Sequence, residues 1–121
     1  MAEHNETGKK GEDIATVYLT ENGYRILERN WRYQHLEIDI IAAKGNELVI
    51  AEVKCRTGNP VAEPYVSVTR RKQHQLIKAA GMYIQENEME MEVRFDVISI
   101  IIGNQTIIEH IENAFYPIAG K

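Results

Sequence analysis

Asp39, Glu52 and Lys54 are the residues of this sequence whose types and spacing best suit chemistry. Two carboxylates supply hard oxygen donors, and the lysine two positions beyond the second supplies a mobile cation. Such a set suits Mg²⁺ or Mn²⁺ acting on a phosphodiester. A bound divalent ion offsets the repulsion between the acids. The ammonium orients or helps deprotonate the attacking water and stabilises charge that builds on the phosphate oxygens. The backbone carbonyl of Val53 is a further candidate metal ligand. A zinc site is not indicated, because Cys55 stands alone and His4, His35, His74 and His110 are scattered.

Glu-Val-Lys alone is a common strand tripeptide and more often forms a solvated ion pair. Its surroundings change that weighting. Leu36 to Ala43 and Leu48 to Cys55 read as strands, and Lys44-Gly45-Asn46 reads as the turn of a hairpin between them. Side chains alternate along a strand, which predicts Glu37, Asp39 and Ile41 on one face and Leu36, Ile38 and Ile40 on the other. Glu52 and Lys54 share a face with Leu48 and Ile50, opposite Val49, Ala51, Val53 and Cys55. Either register is open, and one of them gathers Asp39, Glu52 and Lys54. Placing two acids together among apolar strands is costly without a cation.

The elements that must hold this hairpin alternate along the chain. Thr7 to Asn22 has helical spacing in Ile14, Ala15, Tyr18 and Leu19, with Asn22-Gly23 as its stop. Tyr24 to Arg32 reads as a strand near a sheet edge. Arg56 to Pro64 reads as a loop, and Thr69 to Asn87 as a long helix with Leu76, Ile77, Ala80, Tyr83 and Ile84 inward. Arg94 to Ile102 is apolar on both faces, as a central strand should be, and Thr106 to Ile111 is a last strand. Arg94 and Asp96 alternate onto one face and are expected to form a buried structural pair. The order predicts an α/β fold, a mixed central β-sheet flanked by helices.

The chain has 121 residues, enough for one domain spanning 1–121. No apolar run reaches membrane-spanning length, and the opening Met-Ala-Glu-His-Asn-Glu lacks the apolar core of a secretory signal. A single cysteine excludes an intramolecular disulfide, so the expected location is cytoplasmic. A net charge of −4 argues against a general nucleic-acid coat protein. The basic residues nevertheless cluster, at Arg25, Arg29 and Arg32, at Lys54 and Arg56, and at Arg70, Arg71, Lys72 and His74.

Glu37-Ile-Asp39 followed by Glu52-Val-Lys54 resembles the PD-(D/E)XK nuclease signature. The wider chain resembles the YraN family of small bacterial proteins, through Gly8-Lys-Lys-Gly-Glu12, Asn30-Trp31-Arg32, Arg94-Phe-Asp96-Val97 and Asn113-Ala-Phe115. The resemblance implies a restriction-endonuclease-like core, close to the archaeal Holliday-junction resolvases. It implies Asp39 and Glu52 as metal ligands, Lys54 as the catalytic lysine, and Glu12 on the first helix either as a further ligand or as an exposed acid of the first turn, favoured there by the helix dipole. Glu37 stands where the signature has proline, and either holds a water on the metal or faces solvent. Lys72 and Gln75 are candidate phosphate contacts.

Two functions follow as expectations. The first is a divalent-metal-dependent nuclease acting on DNA, including structured or branched DNA. The second is a catalytically weak or inactive module that binds nucleic acid or a protein partner. The intact Asp, Glu and Lys set favours the first. The acidic balance favours the second, or a protein partner that supplies DNA affinity. A symmetric homodimer would suit a junction substrate, with two equivalent strands to cut.

Overall fold

The computed structural model describes residues 6–58 and 68–117. Their elements run α1 (Glu6–Glu21), β1 (Arg25–Tyr33), β2 (Leu36–Lys44), β3 (Glu47–Thr57), α2 (Arg70–Glu86), β4 (Glu92–Ile102) and β5 (Thr106–Phe115). The polar opening residues lie outside the described residues, as does most of the loop read from Arg56 to Pro64. Arg56 and Thr57 themselves belong to β3 rather than to that loop.

The five strands form a mixed sheet in the order β1-β2-β3-β4-β5, which places β1 at an edge. Neighbours are antiparallel except β3 and β4, which run parallel and are joined through α2. A parallel pair needs such a crossover, because no short turn can return the chain to the starting end. β4 is buried from Arg94 to Ile101, as expected of a strand covered on both faces.

α1 covers one face. Gly11, Ala15 and Leu19 recur at four-residue spacing and are buried. Ala15 and Leu19 pack with Ile40, Ala42, Val49, Ala51, Ile98 and Ile100. The helix stops at Gly23, whose φ of +89° a side chain would disfavour, and the Tyr24 N–H caps back onto the Leu19 carbonyl at 3.0 Å. α2 covers the opposite face with Leu76, Ala79, Ala80 and Tyr83 against Leu36, Ile38, Ile41, Leu48 and Ile50. Its N-cap is Thr69, whose hydroxyl accepts the Lys72 N–H at 3.1 Å. Each fully buried Leu or Ile in these layers contributes about 1.5–3 kcal/mol. Among the described residues no helix is long and apolar enough to cross a membrane.

The alternation expected along β2 fails at one place. Leu36, Ile38 and Ile41 all face α2, whereas Ile40 and Ala42 face α1. Ile41 therefore sits on the same side as Leu36 and Ile38, and Ile40 on the other. The strand reverses parity at Asp39. The register of β1 against β2 is the same on both sides of this point, Arg29↔Ile40 and Trp31↔Ile38, its irregularity lying at Ile26/Glu28, whereas β2–β3 pairing ends at Ile40↔Ala51. Asn30, opposite Asp39, has a φ of +53°. The reversal thus coincides with the point where β2 leaves β3.

Candidate active site

Asp39 and Glu52 meet where β2 and β3 part. The Val53 N–H donates to Asp39 Oδ2 at 2.8 Å. The Asp39 and Glu52 carboxyl groups act on each other directly, a hydrogen bond between them lowering Asp39 and raising Glu52. Glu52 is only 6% exposed. On α2's face of β3, Lys54 Nζ stands 3.7 Å from Glu52 Oε2, and Lys72 Nζ reaches the same oxygen at 3.9 Å from the first turn of α2.

Opposing effects act on Glu52. Burial disfavours its charge, and the neighbouring Asp39 repels it, while Lys72 and Lys54 attract it. The two ammonium groups are more than a third exposed, so solvent screens much of their pull. Burial wins, and the Glu52 carboxyl is pushed up to about 7. Asp39 is also raised, by burial first, with the Val53 N–H and Lys72 opposing. Without a cation, this pair holds a proton between two carboxyl groups near neutrality.

From the other side of the sheet, α1 brings Glu12 toward Asp39. Glu12 lies in the second turn of α1 with 17% of its side chain exposed, well inside the surface. Burial and then repulsion from Asp39 raise its pKa, against a hydrogen bond with Asn30 and attraction from Arg29, whose Nη2 is 4.0 Å from Glu12 Oε1. Arg29 is bound more closely to Asp13, at 2.8 Å. The approach of α1 depends on Gly11: a Cβ there would lie 2.4 Å from Cys55 Cβ. The small residue lets the helix touch β3 and carries its neighbour Glu12 toward the pair.

The donor set suits a hard divalent cation, since oxygen ligands already share a proton that an ion would displace. Asp39 and Glu52 are in contact, and Glu12 faces them through space. Among the described residues, three or more His, Cys, Asp or Glu are not gathered into one cluster. The described contact of Val53 is through its N–H. Glu37 pairs with Arg32 at 3.5 Å across β1 and β2. Gln75 is half-buried on α2 and has no hydrogen bond to the pair among the described residues.

A second polar cluster lies on α1's side of β4. Asp96, 1% exposed, accepts from Arg94 Nε at 3.0 Å and Nη2 at 2.8 Å, from the Asn113 N–H at 3.1 Å, and pairs with His110 Nε2 at 2.7 Å. Tyr18 Oη bonds His110 Nδ1 at 3.0 Å, and Arg94 Nη2 donates to Tyr24 Oη. The buried Arg94–Asp96 pair was legible as alternation on one strand. The recruitment of His110 was not, because it depends on the pairing of β5 with β4, which sets His110 opposite Ile98 and beside Asp96. Trp31 packs edge-on to Tyr83 at 5.2 Å, a place in the core rim.

Comparison with known proteins adds three findings. A family model described as "Uncharacterised protein family UPF0102" matches residues 11–100. A UPF0102 protein of Christiangramia forsetii is 50% identical over 117 residues, covering 96% of this chain and 98% of its own. One from Bacteroides thetaiotaomicron is 49% identical over 118 residues, covering 97% and 98%. Among solved structures, Hjc of Archaeoglobus fulgidus, a Holliday junction resolvase from an archaeal hyperthermophile, aligns with a TM-score of 0.51. That alignment is 17% identical and covers 88% of this chain and 77% of the other. At that identity the likeness concerns the fold.

Proposed function

This chain belongs to the UPF0102 family, and we propose that it is a divalent-metal-dependent nuclease hydrolysing phosphodiester bonds in DNA, with structured or branched DNA as its substrate class. The observation that carries the reading is the meeting of Asp39, Glu52 and Lys54 at the point where β2 and β3 separate. The resolvase-like fold supports it as an analogy of architecture. We read residues 1–121 as one restriction-endonuclease-like domain.

Asp39 and Glu52 would hold Mg²⁺ or Mn²⁺, with Glu12 and the Val53 carbonyl completing the oxygen set. The ion would supply positive charge at the phosphate and lower the pKa of water. The side chains divide the remaining work. Glu52, raised to about 7, gives up its proton to become a ligand. Lys54 orients the attacking water and neutralises charge growing on the phosphate oxygens. Lys72, from α2, offers a second ammonium beside Glu52 that would hold the scissile phosphate at the site. The water oxygen bonds to phosphorus as the bond to the leaving sugar oxygen breaks.

The test is incubation of the protein with linear, single-stranded, flap and four-way-junction DNA, with Mg²⁺ or Mn²⁺ and with chelator. Metal-dependent cleavage should fall by about 100-fold or more in Asp39→Asn and Lys54→Ala. Binding with no cleavage of any substrate would favour the catalytically inactive nucleic-acid-binding module. Cleavage that survives both substitutions would remove the assignment of the site.

A further inference from the structure

A cavity of about 310 Å³ lies outside the carboxylate pair, between α2 and the end of β5. Arg70, His74 and Lys78 line it, all exposed. Their four-residue spacing puts them on one side of the helix. Gln73 and Ile77, half-buried, complete that side, and Tyr116 rises opposite with 65% of its surface exposed. A cationic row beside a solvent-facing ring is notable in a chain of net charge −4.

We infer that this groove holds a single-stranded segment of DNA, its phosphates on Arg70 and Lys78 and one unpaired base stacked on Tyr116. The inference deepens the nuclease reading and rests on it. Two relationships carry it. Cations in a row neutralise successive phosphates, which is the sequence-independent part of nucleic-acid affinity. An exposed aromatic ring offers a stacking platform that any unpaired base can use, whereas a paired base is already covered by its neighbours in the duplex. Lys72, two residues beyond Arg70, lies on the opposite side of α2, where it contacts Glu52, so the groove is a surface separate from the carboxylate pair. From Arg70 to Lys78 the helix rises about 12 Å, enough for a strand to lay more than one phosphate along the row.

The experiment measures binding of fluorescent single-stranded and blunt duplex DNA by anisotropy, in chelator, so that cleavage plays no part. The single strand should bind more tightly than the duplex. Tyr116→Ala should weaken single-strand binding roughly 5- to 150-fold, while Tyr116→Phe keeps it. Arg70→Gln combined with Lys78→Gln should lower the log-affinity versus log-salt slope by about 1.4, two contacts at about 0.7 each. Equal affinity for duplex and single strand, or no loss in Tyr116→Ala, overturns the inference. So does an unchanged salt slope in the double variant. Strand binding that fails while cleavage persists overturns the groove alone; the reverse result overturns the nuclease reading alone.

Discussion

The Val53 N–H donates to Asp39 Oδ2 at 2.8 Å, one step beyond the last paired residues of β2 and β3. A side-chain carboxylate thus takes the place of a strand carbonyl as partner for a backbone donor. The bond fixes Asp39 toward β3 and sets it against Glu52. That geometry makes the protonation of Glu52 the property most open to measurement.

Glu52→Gln should stabilise the protein in alkaline buffer with chelator and leave it nearly unchanged in acid. Glu52 is raised from 4.5 to about 7, so the folded state binds its proton more tightly than the unfolded state. The stability this contributes is complete below about 4.5 and is lost as pH rises through about 7. Glutamine keeps the neutral form at every pH. Thermal melts should show the variant several degrees more stable at pH 8 and equal to the parent at pH 4. Equal differences at both pH values would contradict the shared-proton arrangement.

Gly11→Ala should destabilise the fold despite the helix propensity gained, which is at most about 1 kcal/mol. The new Cβ would sit 2.4 Å from Cys55 Cβ, so α1 and β3 must separate at a cost of about 1–3 kcal/mol. A melting temperature lowered by several degrees is expected. Cys55→Ala should not rescue it, because the clash is with the β-carbon; Cys55→Gly should rescue it in part. Rescue by Cys55→Ala would relocate the clash to the sulfur.

Asp96→Asn should cost about 3 kcal/mol, the low end for breaking a buried pair, because the Arg94 guanidinium loses its buried counter-charge and keeps only the more exposed Glu47 and Glu112 on Nη1. Burial alone would raise the Asp96 carboxyl, but hydrogen bonds with His110 and from Arg94 prevail and hold it below the usual 3.8. Its stabilising effect is therefore present above about 3.8 and is lost as pH falls through the lower folded value. Chemical denaturation should show a large deficit at pH 7 that shrinks in strong acid. A deficit that stays constant into acid would assign the loss to packing instead of charge.

Much of this architecture is legible in the sequence. The four-residue spacing through Ala15 and Leu19, the Asn22-Gly23 stop, the Lys44-Gly45-Asn46 turn and the two-sided apolar run of β4 are local signals, and each lies where it was read. The meeting of Asp39 with Glu52 followed from one of two open registers. What escaped depends on contacts between distant segments. Lys72 reaches Glu52 only because the crossover sets the start of α2 beside β3. β5 runs on to Phe115 rather than stopping at Ile111, because an irregular step at Asn113 lets its N–H serve Asp96. The reversal at Asp39 carries no glycine or proline to announce it.

That reversal gives the site an address that cannot be copied by motif alone. Transplanting Glu37-Ile-Asp39 and Glu52-Val-Lys54 onto an evenly pleated hairpin would bring the residue types without the half-turn that keeps Ile38 and Ile41 on one side. A one-residue deletion within β2 would have the same effect here: the apolar stripe would change sides while the composition stayed almost intact. Asp39 and Glu52 would then be neighbours in sequence logic and strangers in space. A search for relatives with the same capability should therefore look for the kinked strand as well as for the letters.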